Sequence, residues 1–251
     1  MKSKFIEALK KLSQTSAPPM GFGRRKEGHK AYPLMLIANY ESPLEEQAVT
    51  IASKLDAIIF SGSKIDKDSL KQQIKDHPAP WGIRAKSPKD TAAIKETGFD
   101  FLVFSSQETE AAILRTQEMG KVMEIDVNLS DSQMRSLEFL PVDALLLPFS
   151  GKKASLTVQN LLAYQRIDLL VTKPLLGYMP AKISGEDLRL LWEAGLDGAV
   201  FNGEELTPEE MERLQEAIKS FPSHRGEKKR AEALLPSLAS TIPEEPEDES
   251  E

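Results

Sequence analysis

The sequence predicts a single compact (β/α)8 barrel of the TIM type, and three observations lead to this fold. The first is a fourfold repeat in which an apolar residue and an aspartate precede a short buried-looking run. The repeated aspartates are separated by 44, 43 and 54 residues, which fits two β/α units per repeat. They are Asp56, Asp100, Asp143 and Asp197.

The second observation is that further strand-like runs lie between the repeats. Together with the repeats they predict eight strands, each followed by a helix, within residues 31–221. The intervening strands are expected at 34–39, 81–85, 122–127 and 169–173. An open, doubly wound sheet is the alternative arrangement of such units, but the quarter-barrel period favours closure.

The third observation is a set of helix-start signals between the strands. A serine followed by proline or an acidic residue is typical of a helix start. The serine caps the helix, and proline or an acidic residue is favoured in its first turn. Such pairs begin at Ser42, Ser87 and Ser130, and Ser184 is followed by Gly185 and two acidic residues in a capping-box-like pattern.

Residues 1–30 are expected to form an N-terminal helix and a linker. The stretch 2–14 is amphipathic, with Phe5, Ile6, Leu9 and Leu12 on one side. We expect this helix to cover the bottom of the barrel; binding to a membrane surface is the alternative that its lysines allow.

Residues 222–251 predict a disordered acidic tail, since charges, prolines and small residues bury too little apolar surface to offset ordering. The chain has a net charge of −7, of which residues 240–251 supply six negative charges and no positive one. The barrel itself is therefore nearly neutral and shows no basic nucleic-acid footprint. The tail is a candidate contact for a protein partner.

Composition excludes several classes of site. The chain has no cysteine, so disulfides, thiol catalysis and thiolate metal sites are excluded. No apolar run is long enough to span a bilayer, and the N-terminus lacks a signal-peptide core. We therefore expect no transmembrane segment and a cytoplasmic location.

Polar residues at the ends of the odd-numbered strands form the candidate active site. Barrel enzymes place their sites at the C-terminal ends of the strands, where side chains from alternate strands form layers of four. Alignment on the helix starts predicts one such layer from Asn39, Arg84, Asp126 and Lys173. Alternation along the strands also points Glu124 and Lys86 inward. Asn202, at the end of the last strand, is a further candidate for substrate binding.

These residue types suggest imine chemistry. A lysine beside an arginine in a partly dry pocket has a lowered pKa and becomes a nucleophile. In this interpretation Lys173 attacks a carbonyl, Asp126 or Glu124 moves protons, and Arg84 holds a substrate carboxylate. A structural network of ion pairs that fixes the barrel register is the alternative. A Mg²⁺ site built from Glu124, Asp126 and Glu204 also remains open, although no other cofactor is indicated.

Two glycine-containing loops are candidate anion sites, because small residues and lysines there lie close to expected helix starts. The first contains Ser61 and Gly62, and the second contains Ser150 and Gly151. Residues 177–180 are expected in a long loop at the top of the barrel that could serve as a lid.

The leading hypothesis is therefore an enzyme acting on a small carbonyl or carboxylate metabolite, such as a Schiff-base lyase, an aldolase or an isomerase. The rival is a non-catalytic barrel that binds partners through its tail and N-terminal segment. The rival predicts a top face filled by aromatic rings, which would be those of Phe60, Phe104, Phe149 and Phe201.

Overall fold

A computed structural model of the chain describes residues 3–15, 33–44, 46–62, 67–85, 87, 94, 96–148 and 156–222. Its strands form a closed parallel barrel in which each strand pairs with the next and β8 pairs with β1. The predicted fold class is thus confirmed. The strands are β1 Met35–Tyr40, β2 Ala57–Phe60, β3 Trp81–Arg84, β4 Phe101–Ser105, β5 Gly120–Glu124, β6 Ala144–Leu147, β7 Leu175–Met179 and β8 Leu196–Asn202.

Helices surround the barrel, and one precedes it. The α-helices are α1 Lys4–Thr15, α2 Glu46–Ala52, α3 Lys67–Asp76, α4 Asp131–Ser136, α5 Val158–Leu170, α6 Gly185–Glu193 and α7 Pro208–Lys219. Short 3₁₀ helices cover Ala111–Arg115, Leu137–Phe139 and Gly203–Glu205. None of the helices in the described ranges is long and apolar enough to cross a membrane.

Alternation along the strands divides the buried residues into two apolar layers. Met35 and Ile37 of β1 belong to the barrel interior, whereas Leu36 and Ala38 pack against the surrounding helices. The same alternation continues around the barrel, and every strand except β3 contributes to both layers. The last inward-facing residue of each strand therefore lies at the mouth of the barrel.

Helix α1 closes the bottom of the barrel, as its amphipathic pattern predicts. Phe5, Ile6 and Leu9 belong to the interior cluster, and the Phe5 ring stacks on Phe101 with centroids 4.2 Å apart. A side chain on Gly120 would have its Cβ 2.6 Å from Ile6, so glycine gives the helix room to approach β5. The helix thus adds its apolar face to the barrel core.

The repeated aspartates lie at the bottom, where they tie neighbouring strands together. Asp56, Asp143 and Asp197 each accept a hydrogen bond from a backbone N–H near the start of the preceding strand, at 2.8–3.0 Å. Asp100 instead accepts from the backbone N–H groups of Lys4 and Phe5, both at 2.9 Å. One copy of the repeat therefore caps the N-terminus of α1.

Three predictions of local structure are wrong. The stretch 169–173 is not a strand: α5 continues to Leu170, and β7 starts at Leu175. Residues 177–179, expected in a lid loop, are part of this strand, and Pro180 follows it directly. At Ser42 no helix starts, because α2 begins at Glu46. Ser130 and Ser184 do cap α4 and α6, each accepting from the backbone three residues on.

The predicted tail and most of the linker lie outside the described residues. Most of the helix expected to start at Ser87 also lies outside the described residues.

Candidate functional site

A guanidinium, a carboxylate and a phenol meet inside the barrel mouth. Nη2 of Arg84 lies 2.7 Å from Oε2 of Glu124 and donates a 2.6 Å hydrogen bond to the hydroxyl of Tyr178. The three residues come from β3, β5 and β7, which are not neighbours, so these contacts cross the interior. We refer to Arg84, Glu124 and Tyr178 as the mouth triad.

Strand alternation completes the layer with Asn39 from β1. Asn39 shares a face with Met35 and Ile37, which lie in the interior cluster. Its Oδ1 atom is buried and has no hydrogen-bond partner among the described residues. Four odd-numbered strands thus supply the last interior layer, the arrangement typical of such barrels.

The triad is partly exposed, and its members shift one another's pKa values. The side chains of Arg84 and Glu124 are each 25% exposed. Burial opposes the charge of Arg84, but the adjoining Tyr178 and Glu124 leave its pKa above the ordinary value. Burial also raises the pKa of Tyr178, against the lowering effect of Arg84. The phenol therefore keeps its proton at neutral pH and can donate it in a hydrogen bond.

Asp126 lies beside this layer, in the loop that follows β5, and does not contact Arg84. Its Oδ1 accepts hydrogen bonds from the backbone and side-chain nitrogens of Asn128, at 2.8 and 2.9 Å. Together with Glu124, Ser105 and Pro148 it lines a cavity of about 250 Å³. Asp126 can thus contact a ligand bound next to Glu124.

The predicted position of Lys173 is wrong. Lys173 precedes β7, at the bottom of the barrel, and its ammonium donates to the carbonyls of Leu140 and Val142 at 3.1 and 2.9 Å. The error follows from the misplaced strand, since residues 171–173 connect α5 to β7. Lys173 therefore cannot meet a substrate at the mouth, and the imine mechanism loses its nucleophile.

Tyr178 occupies the position in the layer that is predicted for Lys173. Pro174 and Gly177 made this stretch resemble a loop, but proline is tolerated at the start of a strand. Gly177 is needed because its Cβ would overlap the Tyr164 side chain. Counting alternate positions from the Leu175–Met179 run would have pointed Tyr178 inward.

The remaining candidates are dispersed. Asn202 caps the 3₁₀ helix Gly203–Glu205 by accepting from the Glu204 N–H, and its amide donates to Glu205. Ser61, after β2, is tied to the Tyr40 carbonyl through its backbone N–H at 2.8 Å. Gly62 follows it where a side chain would overlap the Glu41 carbonyl. Lys86, Ser150 and Gly151 lie outside the described residues.

The proposed Mg²⁺ ligands are not brought together. Glu204 lies at a separate cavity of about 660 Å³ between α2 and the β8–α7 connection, where it lines the wall with Tyr40. Glu124 instead pairs with Arg84. Within the part of the chain that the structure describes, no group of three or more His, Asp or Glu side chains could hold a metal ion.

The phenylalanines that the rival hypothesis places in the mouth lie elsewhere. Phe60, Phe104 and Phe201 are buried in the layer between the strands and the helices. Phe149 lies outside the described residues. The three described rings therefore leave the mouth free.

Comparison with solved structures shows the fold. KGPDC from Streptococcus mutans superposes with a TM-score of 0.58 at 12% identity, covering 74% of this chain and 97% of that one. Thiamine phosphate pyrophosphorylase from Pyrococcus furiosus gives 0.56 at 13% identity, covering 74% and 96%. N-(5'-phosphoribosyl)anthranilate isomerase from Pyrococcus furiosus gives 0.54 at 13% identity, covering 74% and 98%. No family model matches the sequence, and a search of curated proteins finds no match.

Proposed function

We propose that the protein is an isomerase or lyase that moves a proton on a small metabolite carrying a carbonyl or carboxylate group. The observation that carries this proposal is the mouth triad, in which a carboxylate, a guanidinium and a protonated phenol converge through one nitrogen of Arg84. All three side chains belong to rigid strands rather than to loops, which favours fixed geometry.

The triad supplies the two functions that enolisation needs. Glu124 acts as the base: it takes a proton from the carbon next to the substrate carbonyl, and the electron pair of that C–H bond forms the enolate. Arg84 and Tyr178 donate hydrogen bonds to the carbonyl oxygen as it gains negative charge. In a hydroxyketone, the enediolate takes the proton back at the former carbonyl carbon while the hydroxyl proton passes to the other oxygen, which completes an isomerisation. In a lyase reaction, the enolate electrons form a C=C bond and a leaving group such as hydroxide departs from the next carbon with the electron pair of its own bond.

Burial strengthens this role of Tyr178. Its hydroxyl accepts from Arg84, so its own proton is left to point toward a substrate oxygen. Its raised pKa keeps that proton in place at neutral pH. Asp126, at the adjoining cavity, is the candidate for a second contact with the substrate. The scheme uses neither Lys173 nor a metal ion.

The comparisons support an enzyme only through the fold. The neighbours of known structure include an isomerase and a pyrophosphorylase, and their identity of 12–13% transfers no reaction to this chain. The reaction class is inferred from the triad.

Hydrogen–deuterium exchange tests the proposal without knowledge of the full reaction. The protein is incubated in D₂O with a panel of small 2-oxo acids and hydroxyketones, and loss of the proton signal next to the carbonyl is followed by NMR. We expect catalysed exchange, a decrease of about 10²–10⁴-fold in Glu124→Gln, and a decrease of about 10²-fold in Tyr178→Phe.

Glu108→Gln is the matched control, because this exposed carboxylate follows β4 on the same face. It should leave the exchange rate unchanged. Exchange no faster than in protein-free buffer, or equal exchange in Glu124→Gln and wild type, would refute the proposal.

A further inference from the structure

The outer face of α5 is apolar and is not covered by any of the described residues. Val158, Leu162 and Leu169 are 73%, 53% and 58% exposed. The opposite face of this helix is buried against the barrel through Tyr164 and Ile167. Since one apolar face suffices to hold a helix on a barrel, the outer face calls for another explanation.

The exposed residues are spaced as in a coiled coil. Val158, Leu162, Gln165 and Leu169 follow one another at intervals of four, three and four residues. This spacing places all four on a narrow stripe that packs against a second helix, with apolar residues at three of the four positions. We call these four residues the α5 seam.

The seam also lacks charge. The exposed residues of α5 are the four seam residues and Gln159, and none of them is charged. By contrast, α7 exposes Glu209, Glu212 and Glu216. Arg166, beside the seam, is held within its own chain by Asp131, with Nε 2.8 Å from Oδ1. An uncharged stripe suits an equally uncharged partner helix.

A second copy of this chain supplies such a helix in a matching register. When two α5 helices pack antiparallel around a two-fold axis, Val158 meets Leu169 of the other copy, and Leu162 meets its Gln165. This orientation also places the positive end of each helix dipole beside the negative end of the other.

The apolar surface extends beyond the helix. Phe139 is 88% exposed and Leu140 is 36% exposed. Glu138, next to Phe139, accepts from the backbone and hydroxyl of Thr172, which holds this segment beside the C-terminal end of α5. A helix of this length spans only about 20 Å, and a stable interface buries roughly 800 Å² on each partner. Phe139 and Leu140 therefore add exposed apolar surface to that of the seam.

We propose that the protein forms a two-fold dimer through the α5 seam, with the two α5 helices antiparallel. This assembly is independent of the function proposed for the barrel mouth, because the seam lies on the outside of the helix layer.

Light scattering after size-exclusion chromatography tests the dimer. Wild type should elute at twice the chain mass of 27.9 kDa. Leu162→Glu should weaken dimerisation by about 30-fold or more. Val49→Glu is the control, since Val49 is an apolar side chain on α2 with a similar exposure, 46% against 53% for Leu162. A monomeric wild type at about 100 μM, or a dimer unaffected by Leu162→Glu, would overturn the proposal; the first result would leave residues 223–251 as the alternative cover.

Disulfide trapping tests the orientation, and the absence of native cysteine makes it specific. In an antiparallel pair, Val158→Cys and Leu169→Cys cross-link to each other when the two variants are mixed and oxidised. Neither variant alone should cross-link, since identical seam ends lie far apart. Cross-linking by Val158→Cys alone would show a parallel pair and overturn the antiparallel geometry. Cooperative urea unfolding provides the check that each variant is folded.

Discussion

Arg84 is the residue on which the mouth of the barrel depends. One of its nitrogens serves both Glu124 and Tyr178, so it joins three strands across the interior. The same contact could simply hold the strands in register, or it could prepare a base and a hydrogen-bond donor for a substrate. The two interpretations predict different stability and activity when the charges of Arg84 and Glu124 are removed together.

Replacing Arg84 and Glu124 together distinguishes the structural interpretation from the functional one. Glu124→Leu alone leaves Arg84 without its carboxylate and should cost about 1–2 kcal/mol, less than for a fully buried pair because both side chains are 25% exposed. Arg84→Met/Glu124→Leu should recover most of that loss, since apolar side chains pack well in place of an ion pair. Unfolding in urea measures both values.

In the functional interpretation, the double variant also loses catalysed exchange although it is stable. A double variant that stays as destabilised as Glu124→Leu would indicate that the pair is structural.

Helix α1 shows how one element changes the use of a repeated residue. Three copies of the aspartate join neighbouring strands, but Asp100 binds the N-terminus of α1 and holds it in the barrel bottom. The helix then buries Phe5 completely against Phe101. The cap at Asp100 and the packing of Phe5 on Phe101 thus both hold α1 in the bottom of the barrel.

Substitutions in α1 should therefore be costly only on its inner face. Phe5→Ala should destabilise the protein by about 3–5 kcal/mol, because it opens a cavity in a sealed barrel end. Asp100→Ala should cost about 1–2 kcal/mol through the lost cap, and exposed Glu7→Ala should change stability by less than about 0.5 kcal/mol. Chemical denaturation measures all three; a loss below about 1 kcal/mol for Phe5→Ala would show that α1 is not part of the core.

The strands show where prediction from sequence succeeds and where it fails. The aspartate repeat and alternation place β2, β4, β6 and β8, and they also point Arg84 and Glu124 inward. Prediction fails at β7, because Leu169 and Leu170 read equally well as strand or helix in a short apolar run. The three-dimensional closeness of Tyr164 and Gly177, which explains the glycine, is absent from any local pattern. That single error moved the proposed nucleophile to the wrong end of the barrel.

At the scale of the whole molecule, the two ends of the barrel have different roles. The bottom is closed by α1 and fastened by the repeated aspartates, whereas the mouth holds partly exposed polar side chains. Buried phenols lie in both layers between them. Tyr40 and Tyr164 lie in the layer between the strands and the helices, and Tyr178 faces the interior. Neither Tyr40 nor Tyr164 has a hydroxyl partner among the described residues.

Because of the buried phenols of Tyr40 and Tyr164, we expect the protein to lose stability in alkaline solution. Burial raises the pKa of Tyr40 to about 12, with a further contribution from the charge of Glu204, and burial also raises the pKa of Tyr164. The folded state therefore holds these protons more tightly than the unfolded state, whose tyrosines titrate near pH 10. Stability is complete below about pH 10 and falls as the pH rises through the folded pKa values.

Replacing a phenol by phenylalanine should reduce this alkaline loss. Tyr164→Phe removes a buried hydroxyl that has no partner among the described residues, so its stability at pH 8 should equal or exceed that of wild type. Between about pH 9 and 11 the variant should lose less stability than wild type, because one fewer buried group must ionise on unfolding. Urea unfolding of wild type and Tyr164→Phe, at pH 8 and again between about pH 9 and 11, measures the two free energies of unfolding to be compared. Parallel declines for the two proteins would show that Tyr164 titrates alike in the folded and unfolded states, and the hydroxyl would then have to reach water or a partner.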